Sequence, residues 1–163
     1  MSTSQPTLRL LCGKIAAGKS TLTKCLAARP ATVLISEDHW HSTLYPDEIR
    51  TIEDYARDSA RVRAAMRPRV VSLLKAGLSV VLDFQANTLA VRGWMRTLID
   101  GSDATHELHF LDIPDETCKR RLRERNATGE HPYQPTDADY DLFTRHFVPP
   151  SADEGFNEVV HKE

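Results

Sequence analysis

Cysteine is scarce and scattered: Cys12, Cys25 and Cys118 form an odd set with no C-x-x-C among them. That excludes a disulfide framework or a compact zinc site, and it suits a reducing compartment with all three thiols buried. Long apolar runs are also missing. The two richest stretches, residues 70–74 and 78–82, are parted by Lys75 and Gly77, and neither could span a bilayer. No basic segment precedes the short apolar stretch at residues 8–12, which Arg9 interrupts, so no secretory leader is read and a cytoplasmic protein is expected. Neither sign of charge dominates: 21 Lys and Arg against 23 Asp and Glu leave a net charge of −2. Without a global positive field to gather nucleic acid or a membrane surface, any anion must be gripped locally. What remains is an ordinary globular mixture, 40% hydrophobic and 27% charged over 163 residues. Wholesale disorder is excluded, and the length suits a single domain over residues 1–163.

Apolar runs and helical periods alternate along the chain. Short strands are expected at residues 7–12, 32–35, 78–83 and 106–113, with a fifth, edge strand at 156–160. Helices are expected at residues 20–28, 52–76, 88–99, 114–125 and 138–147. The long one carries Ile52, Ala56, Ala60, Met66, Val70, Leu73 and Leu74 as its apolar stripe, with a kink or a break at Pro68 and Gly77 as its stop. Strands spaced by crossover helices predict a parallel sheet covered on both faces, a three-layer α/β/α architecture.

One segment is decisive: Gly13-Lys14-Ile15-Ala16-Ala17-Gly18-Lys19-Ser20, followed by Thr21, completes G-x-x-x-x-G-K-[ST] between a strand and a helix. Such a loop turns successive backbone N–H groups inward, and the helix beginning at Lys19 aims its positive end at the same point. Lys19 is then expected to reach the β- and γ-phosphates of a nucleoside triphosphate, and the Ser20 hydroxyl to bind Mg²⁺. After the third strand comes Asp83-Phe84-Gln85-Ala86, with no D-x-x-G, and no N-K-x-D occurs anywhere, which excludes a GTPase switch. A lone acid on that strand and the small size disfavour a motor ATPase. A phosphoryl-transfer enzyme remains.

Asp83 ends a buried strand, where a carboxylate can help hold Mg²⁺ or cap the next turn. Asp38 follows the second strand in Ser36-Glu37-Asp38-His39-Trp40-His41 and offers an acceptor for a hydroxyl proton; Glu37 offers the same chemistry one residue earlier. Trp40 has a ring suited to stacking on a substrate, and His39 and His41 suit substrate contact or surface better than metal. On the helix at residues 114–125, Cys118 and Leu122 mark the apolar stripe with Arg121 and Arg125 beside it, whereas Lys119, Arg120, Arg123 and Glu124 face water. Two arginines turned toward the protein need anions to meet, and a triphosphate or structural carboxylates would serve. The arginines at 57, 61, 63, 67 and 69 follow Glu53, Asp54 and Asp58 at helical spacing, and most of them read as a solvated, ion-paired face, with a polyanion groove as the lesser alternative.

In this order, the phosphate loop, Ser36-Glu37-Asp38, Val81-Leu82-Asp83 and the pair Arg121/Arg125 resemble the small P-loop kinases, which carry an AAA-type ATP-binding domain. That group includes the zeta-toxin-like kinases, chloramphenicol phosphotransferase and the kinase domain of phage polynucleotide kinase. The resemblance implies a five-stranded, mostly parallel sheet in the order 2-3-1-4-5 and a small lid at about residues 121–135. It implies ATP and Mg²⁺ as cofactors, Asp38 as general base, Ser20 and Asp83 as the metal site, and Arg121 and Arg125 as lid arginines. The acceptor is then expected near Asp38, His39, Trp40, His41, Gln85 and Asn87. The leading expectation is an ATP-dependent kinase of a hydroxyl on a small molecule such as a nucleotide-sugar, antibiotic or nucleoside, working as a monomer or homodimer. A polynucleotide 5′-hydroxyl kinase and an ATP-binding regulatory protein with little turnover are the alternatives.

Overall fold

The computed structural model describes residues 5–130 and 134–163. Five strands in those residues, β1 (Thr7–Gly13), β2 (Thr32–Ser36), β3 (Ser79–Gln85), β4 (Thr105–Leu111) and β5 (Glu158–His161), form one sheet in the order 2-3-1-4-5. Every adjacent pair is parallel. The helices are α1 (Lys19–Ala27), α2 (Glu37–Leu44), α3 (Ile52–Lys75), α4 (Leu89–Ser102), α5 (Asp115–Ala127) and α6 (Asp137–Thr144).

Alternation along the strands divides the core. Leu8, Leu10 and Cys12 of β1 and Val80, Leu82 and Phe84 of β3 face α3 and α4, meeting Val62, Met66, Val70, Leu74, Met95 and Leu98. Leu11 and Val81 point to the other face, under α1 with Leu26. Toward β5 that second face turns polar. Arg9 donates to Glu107 at 3.0 Å, Glu107 lies 3.0 Å from His109 Nε2, and His109 Nδ1 lies 3.0 Å from His161 Nε2.

Several expectations change here. Helix α3 runs unbroken through Pro68, so no second helix begins there. Its first half also buries a different stripe: Ile52, Ala56 and Ala60 lie on the exposed side, while Asp58, Ser59 and Val62 are covered. The apolar spacing at the start of α3 matched a helix but marked the wrong face: Ser59 meets His41 of α2, and Asp58 is satisfied by Arg57 and Arg61 of its own helix. Cys25 is exposed, on the outer side of α1, and only Cys12 and Cys118 are buried. Lys119 folds back rather than facing water: its ammonium is 2.9 Å from Asp141 and lies over the Tyr140 ring of α6.

The crevice that matters opens at the carboxyl ends of β1 and β3. These two strands pair in register as far as Leu10↔Leu82, and the pairing then slips to Leu11↔Gln85. Their outgoing connections cross the sheet in opposite directions, to β2 and to β4, which is where open α/β sheets bind ligands.

Candidate phosphate and acceptor site

The loop between β1 and α1 is built for an anion. Gly18, the N-cap of α1, sits at φ 106°, a left-handed conformation that suits glycine. A side chain on Gly13 would press to 3.2 Å from Leu111 Cβ, so the loop also packs too closely for one there. The amides of Ile15, Ala16 and Gly18 make no hydrogen bond among the described residues, and the first amides of α1 have no helical partner by construction. Lys19 curls back over this loop and donates to the carbonyls of Gly13 and of Lys14, the latter at 2.8 Å. Burial pushes its ammonium down to about 8, against the pull of Cys12, Asp83, Cys118 and Asp38.

Around Lys19 the structure gathers the expected acids. Asp83 is paired in register with Ser36 at the ends of β3 and β2, and Asp38 follows two residues later. Burial raises the Asp83 carboxyl, the charge of Asp38 raises it further, and Lys19 opposes both. Two like charges beside one ammonium leave negative charge to spare. With the exposed Ser20 hydroxyl this oxygen set fits Mg²⁺, which commonly takes one or two carboxylates and completes its shell from phosphates and water. No group of three or more His, Cys, Asp or Glu that could hold a metal exists among the described residues, so the protein's share of such a site is small.

From the other flank, α5 brings Arg121 to the loop, and Arg125 follows one turn later. Arg121 donates to Ala17 O at 3.3 Å, and the Arg125 Nε is buried without a hydrogen-bond partner among the described residues. Arg120 and Arg123 point outward, toward Glu163 and Asp137. Of the expected lid, residues 131–133 lie outside the described residues. Lys14 reaches across the loop to Asp115, which also accepts from Tyr140 Oη at 2.7 Å and so ties α6 to the phosphate loop.

Helix α2 starts at the carboxyl end of β2, capped by Ser36 Oγ, which accepts from His39 N. Its first two residues diverge, as neighbours on a helix must. Asp38 lines a broad groove of about 470 Å³ with His41, Ser42, Tyr45 and Asp47. Glu37 instead lines a smaller cavity of about 150 Å³, with Tyr55, Arg63, Gln85, His146 and Phe147 among its walls. Glu37 is buried, and burial raises its carboxyl more than Ser59, His41 and Arg63 lower it.

The other expected acceptor contacts are distributed unevenly. His39 is exposed, Trp40 packs on the core, and His41 is buried 3.2 Å from Ser59 Oγ and edge-on to Tyr55. Asn87 touches the cavity, but its side chain is engaged with Gly13: Oδ1 accepts from Gly13 N and Nδ2 donates to Gly13 O, both at 3.0 Å. Ion pairing on the arginine face of α3 is confined to Arg57 and Arg61 among the described residues, fewer than expected. Arg57 and Arg61 do bind Asp58, and Arg57 also Asp54, yet Arg63 forms no ion pair among the described residues and faces the cavity. Tyr55, Ser59 and Arg63 follow each other every four residues, a periodicity that could have shown they share one side of α3.

A strand, an anion-binding loop and a helix at the switch point of a 2-3-1-4-5 parallel sheet define a P-loop NTPase fold of the kinase type. The chain belongs to the family described as AAA domain, whose model matches residues 8–150. No curated protein sequence matches it significantly. Among solved structures it is similar to a proposed kinase from Chloroflexus aurantiacus J-10-fl, at 21% identity and a TM-score of 0.73 over 98% of this chain and 89% of that one. It is also similar to Kti12 of Chaetomium thermophilum in complex with ADP-AlF3 (16%, TM-score 0.69, 96% and 88% covered). A sugar kinase from Janibacter sp. HTCC2649 is a third (19%, TM-score 0.64, 98% and 86% covered). At such identities the likeness is one of fold.

Proposed function

We propose that this chain is an ATP-dependent kinase that transfers the γ-phosphoryl group to a hydroxyl of a small molecule. The observation that carries the reading is the convergence of Lys19, Asp38 and Asp83 within electrostatic reach of one another beside unpaired loop amides. The amides and Lys19 would cradle the β- and γ-phosphates, and Arg121 and Arg125 would meet charge on the transferring group. Ser20 and Asp83 would hold Mg²⁺, which when bound would offset the charge of the phosphates. Asp38 takes the proton as the acceptor oxygen bonds to the γ-phosphorus and the bond to the β,γ-bridging oxygen breaks. Asp38 suits this role better than Glu37 because its charge acts on both Lys19 and Asp83, whereas Glu37 is buried in a separate cavity. Residues 1–163 would work as one cytoplasmic unit, with the end of α5 as part of a lid. No described helix is long and apolar enough to cross a membrane.

The test is a pair of variants assayed for nucleotide binding and for phosphoryl transfer. Lys19→Ala should lose both. Asp38→Asn keeps shape and hydrogen bonding but cannot take the proton, so it should bind nucleotide like the parent and lose roughly 10²–10⁴-fold in kcat. A loss confined to nucleotide affinity would move the proton to Glu37. Nucleotide binding without transfer to any acceptor would make the chain a regulatory binding protein.

A further inference from the structure

The small cavity beside Glu37 also meets Asn87, the residue bonded to Gly13 of the phosphate loop, and its walls are chemically specific. Its volume is about 150 Å³. A cavity of about that size holds one benzene molecule, so its scale is that of a single ring. On one side stands the Glu37 carboxylate, 95% buried by virtue of its 5% exposure, with Oε1 lacking any hydrogen bond among the described residues and 3.8 Å from His41 Nε2. Arg63 lines the same cavity from α3 and forms no ion pair among the described residues, and Gln85 adds an amide from the end of β3. Tyr55, Phe143 and Phe147 supply ring surfaces between these polar groups.

We propose that this cavity is the acceptor subsite and that it takes a neutral, polyhydroxylated six-membered ring, with Glu37 and Arg63 as its specificity-determining residues. The argument rests on the kinase reading for what happens to the ring afterwards, but the recognition itself follows from the walls. A hydroxyl can donate to the buried Glu37 while another accepts from Arg63, giving each charged group a hydrogen bond. An anion would meet Glu37, a cation would meet Arg63, and a plain hydrocarbon ring would offer neither group a hydrogen bond. The aromatic walls suit the C–H faces of a saturated ring. Glu37 and Asp38 are consecutive, so a ring held at Glu37 lies next to the groove that Asp38 lines.

Equilibrium binding reads the proposal without requiring turnover. Full-length protein is titrated with D-glucose and myo-inositol as rings, D-mannitol as an open-chain polyol and a thymidine octanucleotide bearing a 5′-hydroxyl, each with and without a non-hydrolysable ATP analogue. At least one ring should bind, and the open chain and the oligonucleotide should not. Glu37→Gln, which keeps the side chain's shape, should weaken that ring by roughly tenfold or more through loss of a charge-assisted hydrogen bond. Arg63→Met should do the same from the opposite wall, which keeps the test decisive if one variant melts well below the parent. Binding of neither ring, preference for the open chain or the oligonucleotide, or ring affinity unmoved in a folded Glu37→Gln or Arg63→Met protein would overturn the subsite. Ring binding that responds to both variants, with no phosphate transferred, would uphold the subsite and remove the kinase reading instead. Transfer to the oligonucleotide with no ring bound would do the reverse.

Discussion

Asn87 commits both ends of its amide to one residue, accepting from Gly13 N and donating to Gly13 O. It thereby clips the segment after β3 to the first residue of the phosphate loop, across 74 positions of sequence. The expected role for Asn87 was contact with the acceptor, and the residue is indeed beside the cavity, but its donors and acceptors are occupied by the loop. Asn87→Ala should strand the backbone polar groups of Gly13 and loosen the loop. Nucleotide affinity should fall by roughly tenfold, as loss of partly buried hydrogen bonds implies, with the acceptor KM changed less. Titration with a non-hydrolysable ATP analogue checks this; intact nucleotide affinity beside a raised acceptor KM would return Asn87 to the acceptor.

Helix α5 shows how much of a site a helical projection can deliver. Cys118 and Leu122 are buried, Arg121 and Arg125 flank them, and Arg120 and Arg123 point outward. The projection failed for Lys119 because α6 packs alongside and offers Asp141, a partner that no local pattern can supply. Arg125→Lys should lower kcat more than it weakens nucleotide binding, because a point charge cannot reproduce a planar fork on a phosphoryl group. Hydrogen exchange at residues 121–130 should slow when the nucleotide analogue is added. A fully active Arg125→Lys, with exchange indifferent to nucleotide, would make α5 a static support. Helix α3 teaches the opposite lesson. Its length and its stop at Gly77, at φ 88°, were legible, yet its buried stripe was set by neighbours rather than by its own apolar residues.

The histidines that make the fold acid-sensitive, His109 and His106, lie on β4. Burial lowers the His109 imidazole below its usual range, and its bond to Glu107 does not fully compensate. Burial also lowers His106, with the charge of Arg96 acting in the same direction. A histidine whose folded value is depressed contributes stability that is present above its unfolded value, about 6.5, and is lost as pH falls from there toward the folded value. The paired carboxylates Glu107, Asp115 and Glu154 have depressed folded values and add a second loss at lower pH. Thermal melts should therefore decline as pH falls through about 6 to 5, and decline again below about 4.5. His109→Asn should blunt the first decline without touching the second. An unchanged profile would place the sensitivity elsewhere.

Local rules sufficed for everything short in range. The glycine spacing before Lys19, the alternation in β1 and β3 and the apolar stripe of α5 depend on neighbours a few residues away, so the sequence by itself determined a parallel α/β sheet with an anion-binding loop at its switch point. The acids Asp38 and Asp83 were legible as well, because each lies within two residues of the end of a recognisable strand. Only the tertiary structure decided which way they work. The turn of α2 sends Glu37 into one cavity and Asp38 into another groove, and the packing of α3 against α2 brings Arg63 out of an arginine face and into the cavity wall. The physical reason is the range of the forces involved: backbone geometry acts within a turn or two, whereas desolvation and charge pairing depend on what other segments of the chain place nearby.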